Sequence, residues 1–407
     1  MLIKLAFRNI FRNYRRTFFT FLAITIGLTL LVLMDSLLHG MEMDTFQKII
    51  SLETGHLRIY SKGYKEDIDN LPLELAFDPT ALLNTLHADP LVKGAVPRVN
   101  FRIMLSDSVN ELPALGMAID PLADDQVFEL QKNLAKGTWL TADDDGMLIG
   151  NELAKDFNVN VGDTLTLLTR TKFSTYQAID LKIKGIIQSY DTEIDNNSVI
   201  LPLALAQRSL DLGSEVSDIS IRLKDQGQID QLKKRYNSEF KDFETWAWQD
   251  IAENVIALTQ TKSKGSKLMI FCVMIIALIG ITNTILMSVF ERTREIGMMA
   301  AFGLKRRQIV ALFVLEGSMI GLLGSASACL LAFLLIYFWA VPIGWDFGWM
   351  LKDMGSFGYR SYYMTGVWNP GMFLEAFLLG VIVSALTSIY PARLAAKLEP
   401  TEALRRY

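Results

Sequence analysis

The sequence predicts a membrane protein with four transmembrane helices and a large α+β extracytoplasmic domain between the first and the second. Three observations predict it. Of the 407 residues 51% are hydrophobic, with a mean hydropathy of +0.26, which sets the chain apart from soluble domains. The apolarity gathers into four runs, 17–39, 268–290, 309–340 and 371–391. Each is long enough to cross a hydrocarbon core of ~30 Å, which takes about 20 residues at the helical rise. Finally, Lys and Arg collect at alternate ends of these runs, and short cytoplasmic segments carry such an excess.

Residues 1–16 read as a helix lying in the inner interface, because Ile3, Phe7, Ile10, Phe11 and Tyr14 share one face and Lys4, Arg8, Arg12 and Arg15 another. A cleaved signal peptide is the competing reading. The apolar core outlasts the usual signal, and no small-x-small site precedes Asp35, His39 and Glu42, so an uncleaved anchor is expected at 17–39. The basic N-terminal flank, the cluster at 291–307 and the tail 392–407 then lie inside. The aromatic-rich connection 341–370, with only Lys352 and Arg360, lies outside with the domain 40–265.

Within 40–265, KGTWL, GMLIG, VGDTLTLL, LKIKGIIQSY, SVILP and ISIRL read as strands. Asn151 is placed to cap a short helix through Phe157, ALAQRSL to form a second, and 228–239 a polar third. Two lobes are expected, one from about 40–90 with 215–265 and one from the middle. The stretch 291–307 sets Ile296, Met299, Ala300 and Leu304 at helical spacing among Arg292, Arg294, Lys305, Arg306 and Arg307, a short basic amphipathic helix.

Catalytic and metal chemistry find little support. Cys272 and Cys329 sit in predicted spans, and His39, His56 and His87 lack ligand-like spacing, so no metal site is expected. TKSKGSK at 261–267 lacks the spacing of a phosphate-cradling loop. The acidic groups Asp143, Asp144, Asp145 and Asp191, Glu193, Asp195 read as solvated loop carboxylates. In the third span, Glu316 is a carboxylate where one is expensive, and a structural contact near the cytoplasmic loop is favoured over a proton relay. Gly317, Gly321 and Ser325 form a small-residue stripe that permits close helix approach, within the chain or across a dimer.

At this point the residues resemble a family. The topology, ERTREIGMMAAFGLKRRQI at 291–309, YPARLAAKLEPTEALRRY at 390–407 and the N-terminal LAFRNIFRNYRRTFFTFLAITIG are similar to the FtsX-like permeases of ABC transporters, also called the MacB or type VII class. TGHLRIYSKGY at 54–64, VGDTLTL, GIIQSYDTEIDNNSVILPLALAQ and Trp246 resemble the lipoprotein-releasing, Lol-type branch. The resemblance implies a permease that is not itself an enzyme. ATP and Mg would be held by two copies of a separate ATPase, whose closure moves a pair of permeases, homodimeric or heterodimeric. The outer domains would then hand a lipoprotein from the inner membrane to a periplasmic carrier or adaptor; no nucleic acid is involved. The segment 291–307 would match the family's coupling helix, with Glu291, Arg292, Arg294, Glu295, Met299, Phe302, Gly303 and Leu304 meeting the ATPase. On this reading Leu30, Leu33, Met34 and Leu37 of the first span and Leu268, Phe271 and Ile275 of the second would line an apolar cleft for acyl chains. An efflux or peptide and stress-response permease, or a regulator of a cell-wall hydrolase, are the other functions the family suggests.

Overall fold

The computed structural model describes residues 5–8, 14–189, 191–291, 293–301, 304–346 and 363–396, without some side chains inside helices, most of them between 262 and 301. The described residues fall into two compact units, one within 5–42, 259–346 and 363–396, the other within 43–258. The expected interfacial helix 1–16 and the tail 392–407 fall largely outside the described residues.

The outer unit is built on one mixed sheet of ten strands: β1 (Leu57–Ser61), β2 (Val92–Ser106), β3 (Glu111–Ile119), β4 (Leu134–Gly137), β5 (Gly146–Gly150), β6 (Thr164–Arg170), β7 (Tyr176–Ile187), β8 (Ser198–Pro202), β9 (Asp218–Leu223) and β10 (Phe243–Ala247). Their order is β10-β1-β9-β2-β3-β8-β5-β7-β4, and β6 pairs with both β2 and β7. That double pairing closes β2-β3-β8-β5-β7-β6 on itself, whereas β10, β1 and β9 extend the sheet from the other side of β2. The two expected lobes therefore share one sheet and meet along its fifteen-residue strand. Antiparallel neighbours predominate, with parallel pairings at β3 with β8 and β5 with β7.

Period-two alternation divides the core between the two faces of this sheet. Phe101, Ile103 and Leu105 of β2, Met147 and Ile149 of β5, and Val199 and Leu201 of β8 join one cluster. Val96, Leu148 and Ile200, one residue out of phase, join the other with Val127, Phe128 and Leu130. Over the first face pack the helices α2 (Thr80–Ala88), through Leu82 and Leu86, and α6 (Ile229–Glu239), through Leu232 and Tyr236. Between them in sequence lie α3 (Asn151–Asp156), α4 (Thr192–Asn197) and α5 (Leu203–Ser209).

Several local readings shift. The KGTWL strand ends at Gly137, where φ is +85°, and Trp139 instead donates its ring N–H to the carbonyl of Pro121 at 3.2 Å. Asn151 opens α3 as its first residue, with Gly150 at the cap. Asp191 and Asp195 are not solvated: both are buried. Asp191 caps α4 by accepting the N–H groups of Glu193 and Ile194, and Asp195 accepts from the backbone and hydroxyl of Ser189. Their carboxylates answer local backbone donors, which explains an acidic cluster without a ligand.

Two helices run from one unit into the other: α1 (Tyr14–Lys48) is followed by a π-helical turn at Ile49–Thr54 in the outer unit, and α7 (Trp248–Ile251), also in the outer unit, leads into α8 (Glu253–Glu291). Then come α9 (Thr293–Ala301), α10 (Arg306–Leu335) and α11 (Pro370–Ala396). Among the described residues three helical stretches are long and apolar enough to cross a membrane: Thr17–Thr54, Arg306–Ala340 and Pro370–Leu394. The fourth expected span, 268–290, falls within α8, a helix of 39 residues many of whose side chains lie outside the described set. Of the connection 341–370, Trp345–Asp346 pairs with Tyr363–Met364.

Candidate functional site

At the predicted cytoplasmic end, the chain leaves α8 and re-forms a helix within two residues. Thr293 donates its hydroxyl to the carbonyl of Phe290 at 2.8 Å, and α9 then runs to Ala301. The apolar side of α9 turns inward: Ile296 is buried with Ile309 and Phe313 of α10 and Ala392 and Ala396 of α11, and Met299 and Leu304 pack on the same cluster. Two of the eight residues expected to meet an ATPase, Met299 and Leu304, thus hold the short helix on its own membrane unit. Glu291 is exposed and Glu295 half-buried; Arg292, Phe302, Gly303 and the Arg294 side chain lie outside the described residues. Lys305 ends the turn, its N–H donating to the Gln308 side chain at 2.8 Å before α10 starts.

The small-residue stripe of α10 makes an intrachain seam with α11. A Cβ placed on Gly317 would run into the hydroxyl of Ser388, and one on Gly321 would lie 2.5 Å from the Ser384 Cβ. One on Gly380 of α11 would strike Ser325 in return. Two hydroxyls at this seam bond to their own helices, Ser325 donating to the Gly321 carbonyl and Ser388 to that of Ser384, each at 2.6 Å, while the Ser384 hydroxyl is buried with no partner among the described residues. Gly324 gives the same close approach to α1, where an added Cβ would sit 2.8 Å from Ile24. Glu316, next to Gly317 in sequence, is buried.

The first span divides its expected cleft residues between two faces. Leu33 and Leu37 are buried with Ala332 of α10, Ile336 just past its end and Ala376 of α11. Leu30 and Met34 are more than half exposed, continuing a strip with Leu22 and Ile26 at four-residue intervals. The four-residue helical face, and not the run of leucines, decides which side chains stay open. Leu268 and Ile275 are exposed on α8, and the Phe271 side chain lies outside the described residues.

Within the outer unit, the helical segment ending at Thr54 is gripped by the sheet. Gly55, at φ +68°, turns the chain out of the π-helical turn, and a Cβ there would lie 2.9 Å from the Ile221 carbonyl. Two arginines then reach back to the Glu53 carbonyl in the last turn: Arg58 from β1, and Arg98 from β2 at 3.5 Å. Helix C-termini leave carbonyls without intrahelical partners and carry partial negative charge, so cations suit them. Both guanidiniums are buried and compensated. Arg58 pairs with Asp218 at 3.3 Å and donates to Ser220 and the Tyr60 hydroxyl. Arg98, fully buried, makes a bidentate pair with Asp124 and lies 3.3 Å from the Phe128 ring centroid. Burial pushes the Asp124 carboxyl up against the pull of Arg98. Tyr60, Tyr64 and Trp246 pack beside this clamp, Tyr60 stacked on Tyr64 with centroids 4.4 Å apart and meeting Trp246 edge-on at 5.2 Å.

His56 joins the same region. Its Nδ1 accepts the Leu223 N–H at 2.9 Å, while its Nε2 is buried with no partner among the described residues. Burial, helped by Arg222 and Lys93, lowers its pKa to about 4. Nothing in the spacing of the histidines marked this residue, or Arg98 and Asp124. The one signal was an arginine in phase with the inward Val96 of β2. The outer unit also holds an open groove of about 1150 Å³ whose lining mixes Phe101 and Met104 with Glu74, Arg102, Arg170 and Tyr176. Among the described residues no group of His, Cys, Asp or Glu is arranged to hold a metal ion.

Two family models match the chain: a MacB-like periplasmic core domain over residues 17–238 and an FtsX-like permease C-terminal domain over 267–400. Among curated proteins, the macrolide export ATP-binding/permease protein MacB of Pasteurella multocida is 25% identical over 98% of this chain and 59% of its own length. The lipoprotein-releasing system transmembrane protein LolC of Xylella fastidiosa is 23% identical over 94% of this chain and 92% of its own. An uncharacterized ABC transporter permease of Methanocaldococcus jannaschii is 24% identical over 99% and 97%. The chain thus spans about three fifths of the MacB relatives and nearly all of the other two. The crystal structure of the periplasmic region of MacB from Actinobacillus actinomycetemcomitans overlaps half of this chain at a TM-score of 0.36 and 15% identity.

Proposed function

Because the chain belongs to the FtsX-like permeases with a MacB-like periplasmic core, we propose that it is the permease subunit of an inner-membrane ABC transporter that extracts lipoproteins for delivery to the outer membrane. Two copies of an ATPase bearing ATP and Mg would act on α9 and its flanks, a second permease would complete the pair, and a periplasmic carrier would receive the lipoprotein. The four-span topology, with α8 as the second span, is part of this reading. So is transmission along α1, which contributes residues to both units.

The observation that carries the lipoprotein branch is the fate of TGHLRIYSKGY. This stretch supplies the helix exit at Gly55, the clamp through Arg58 and the stacked Tyr60 and Tyr64 that cluster with Trp246. The residues that resemble the Lol-type branch therefore sit where a moving helix would be gripped. The open strip of Leu30 and Met34 on α1 offers acyl chains an apolar surface. Photocrosslinkers at Met34 and Ile275 are expected to capture a lipoprotein in membranes without ATP turnover and to lose it when ATP is added. Crosslinks to phospholipid alone, with drug or peptide efflux depending on the same positions, would move the chain to the exporter branch. The groove in the outer unit, with its mixed charged lining, is the feature that favours that second reading.

A further inference from the structure

A cleft of about 540 Å³ opens between the start of α10 and the end of α11, lined by Arg306, Arg307 and Val310 from one and Tyr390, Arg393 and Leu394 from the other. Its chemistry is unusual for a helix start. Lys305, Arg306 and Arg307 crowd the N-terminus of α10, and no acidic residue occupies the first turn. The positive end of a helix dipole favours anions and repels these side chains. Among the described residues no carboxylate pairs with Arg306, Arg307 or Arg393. A topogenic excess of positive charge explains how many cations lie on this side, but it does not require residues nearly 90 positions apart to converge on one cleft.

We propose that this cleft binds the phosphate of an anionic phospholipid headgroup. The three guanidiniums would supply charge-assisted donors to the phosphate. Tyr390, 65% exposed, and Leu394, 37% exposed, give the cleft an apolar flank suited to the glycerol and upper acyl region. Both helices enter their apolar spans directly from the cleft, which puts it at headgroup depth. Basic pockets between spanning helices on the cytoplasmic side are where acidic lipid headgroups are held. The site would tie α10 and α11 to the inner leaflet next to the α9 segment, and it holds whether the cargo is a lipoprotein or a drug.

The test uses the intact complex of permease and ATPase in nanodiscs of phosphatidylcholine doped with phosphatidylglycerol, with retained lipid read by native mass spectrometry. The wild type is expected to enrich phosphatidylglycerol over its bulk fraction by about tenfold. Arg306→Gln/Arg307→Gln/Arg393→Gln should bring the enrichment close to unity, and the milder Arg393→Gln should lower it severalfold, while Arg393→Lys keeps most of it. Unchanged enrichment in the triple variant overturns the proposal. So does binding of inorganic phosphate without lipid enrichment, which would make the site one for a free anion. Loss of the ATPase subunit from the triple variant at unchanged lipid retention would show a protein-docking surface instead.

Discussion

The outer sheet and the membrane seam solve the burial of polar groups in opposite ways. Around β1 and β2 the protein buries whole charges and pairs each, Arg58 with Asp218 of β9 and Arg98 with Asp124 of the short helical turn at Asp124–Gln126. Between α10 and α11 it buries the Ser325 and Ser388 hydroxyls, each bonded to its own helix, and leaves glycines opposite them. The difference follows from the solvent. An aqueous domain has a hydrophobic driving force to spend on ordering an ion pair, whereas lipid tails are as apolar as leucine and helices there associate through close packing. The outer unit is therefore expected to be sensitive to loss of one charge, and the membrane unit to gain of one methyl group.

The largest effect should come from breaking the clamp. Arg98→Met leaves Asp124 buried without its partner and is expected to cost about 3–5 kcal/mol. Denaturant unfolding of the solubilised full-length protein, followed through the tryptophans of the outer unit, would read it. Arg98→Met/Asp124→Leu should recover most of the loss, since the uncompensated charge and not the missing bond is the cause. If the single and double variants unfold alike, the pair is not the stabilising feature inferred here.

A smaller loss is expected on the other side of the comparison. Gly321→Leu forces a side chain onto Ser384 and should cost roughly 1–3 kcal/mol by overpacking. Gly27→Ala, on α1 with open space where its Cβ would go, should be neutral or stabilising, by up to about 1 kcal/mol, because alanine suits a helix interior better than glycine. Equal melting shifts for the two would mean that the seam tolerates volume and that glycine there serves another purpose.

A further expected effect is a pH dependence in the outer unit. His56 has its folded pKa lowered to about 4 from 6.5, so between those values the unfolded chain binds the proton first. Its contribution to stability is present above about 6.5 and is lost as pH falls toward 4. Protonation would also place a hydrogen on the Nδ1 that now accepts from Leu223. In His56→Gln the slope of stability over this window should flatten. A variant that keeps the wild-type slope assigns the pH dependence to other groups.

Much of the architecture was legible because its signals are local. The apolar runs, the basic flanks and the spacing of Gly317, Gly321 and Ser325 can each be read within a few turns of helix, and the family motifs lie at the chain's corners. What stayed hidden depends on which face a residue takes in three dimensions. Leu30, Leu33, Met34 and Leu37 look alike in sequence, yet two are open and two are core, because α10 and α11 cover one side of α1. Met299 and Leu304, expected to meet a partner, are also partly buried against the cluster of Ile309 and Phe313. The clamp was invisible for a stronger reason. Arg98 and Asp124 are 26 residues apart, and only the return of the chain across β2 makes two charged residues a buried pair.

The central claim, that this permease converts ATP turnover at its cytoplasmic end into lipoprotein release outside, is tested most directly in proteoliposomes carrying the permease pair, its ATPase and a labelled lipoprotein. With a periplasmic carrier in solution, the wild type should release lipoprotein only when ATP and Mg are supplied. Glu295→Lys, at the half-buried face of α9, should leave membrane level and lipoprotein binding intact while abolishing release. ATP-dependent flux of a macrolide with no lipoprotein release, or full release by Glu295→Lys, would contradict the account.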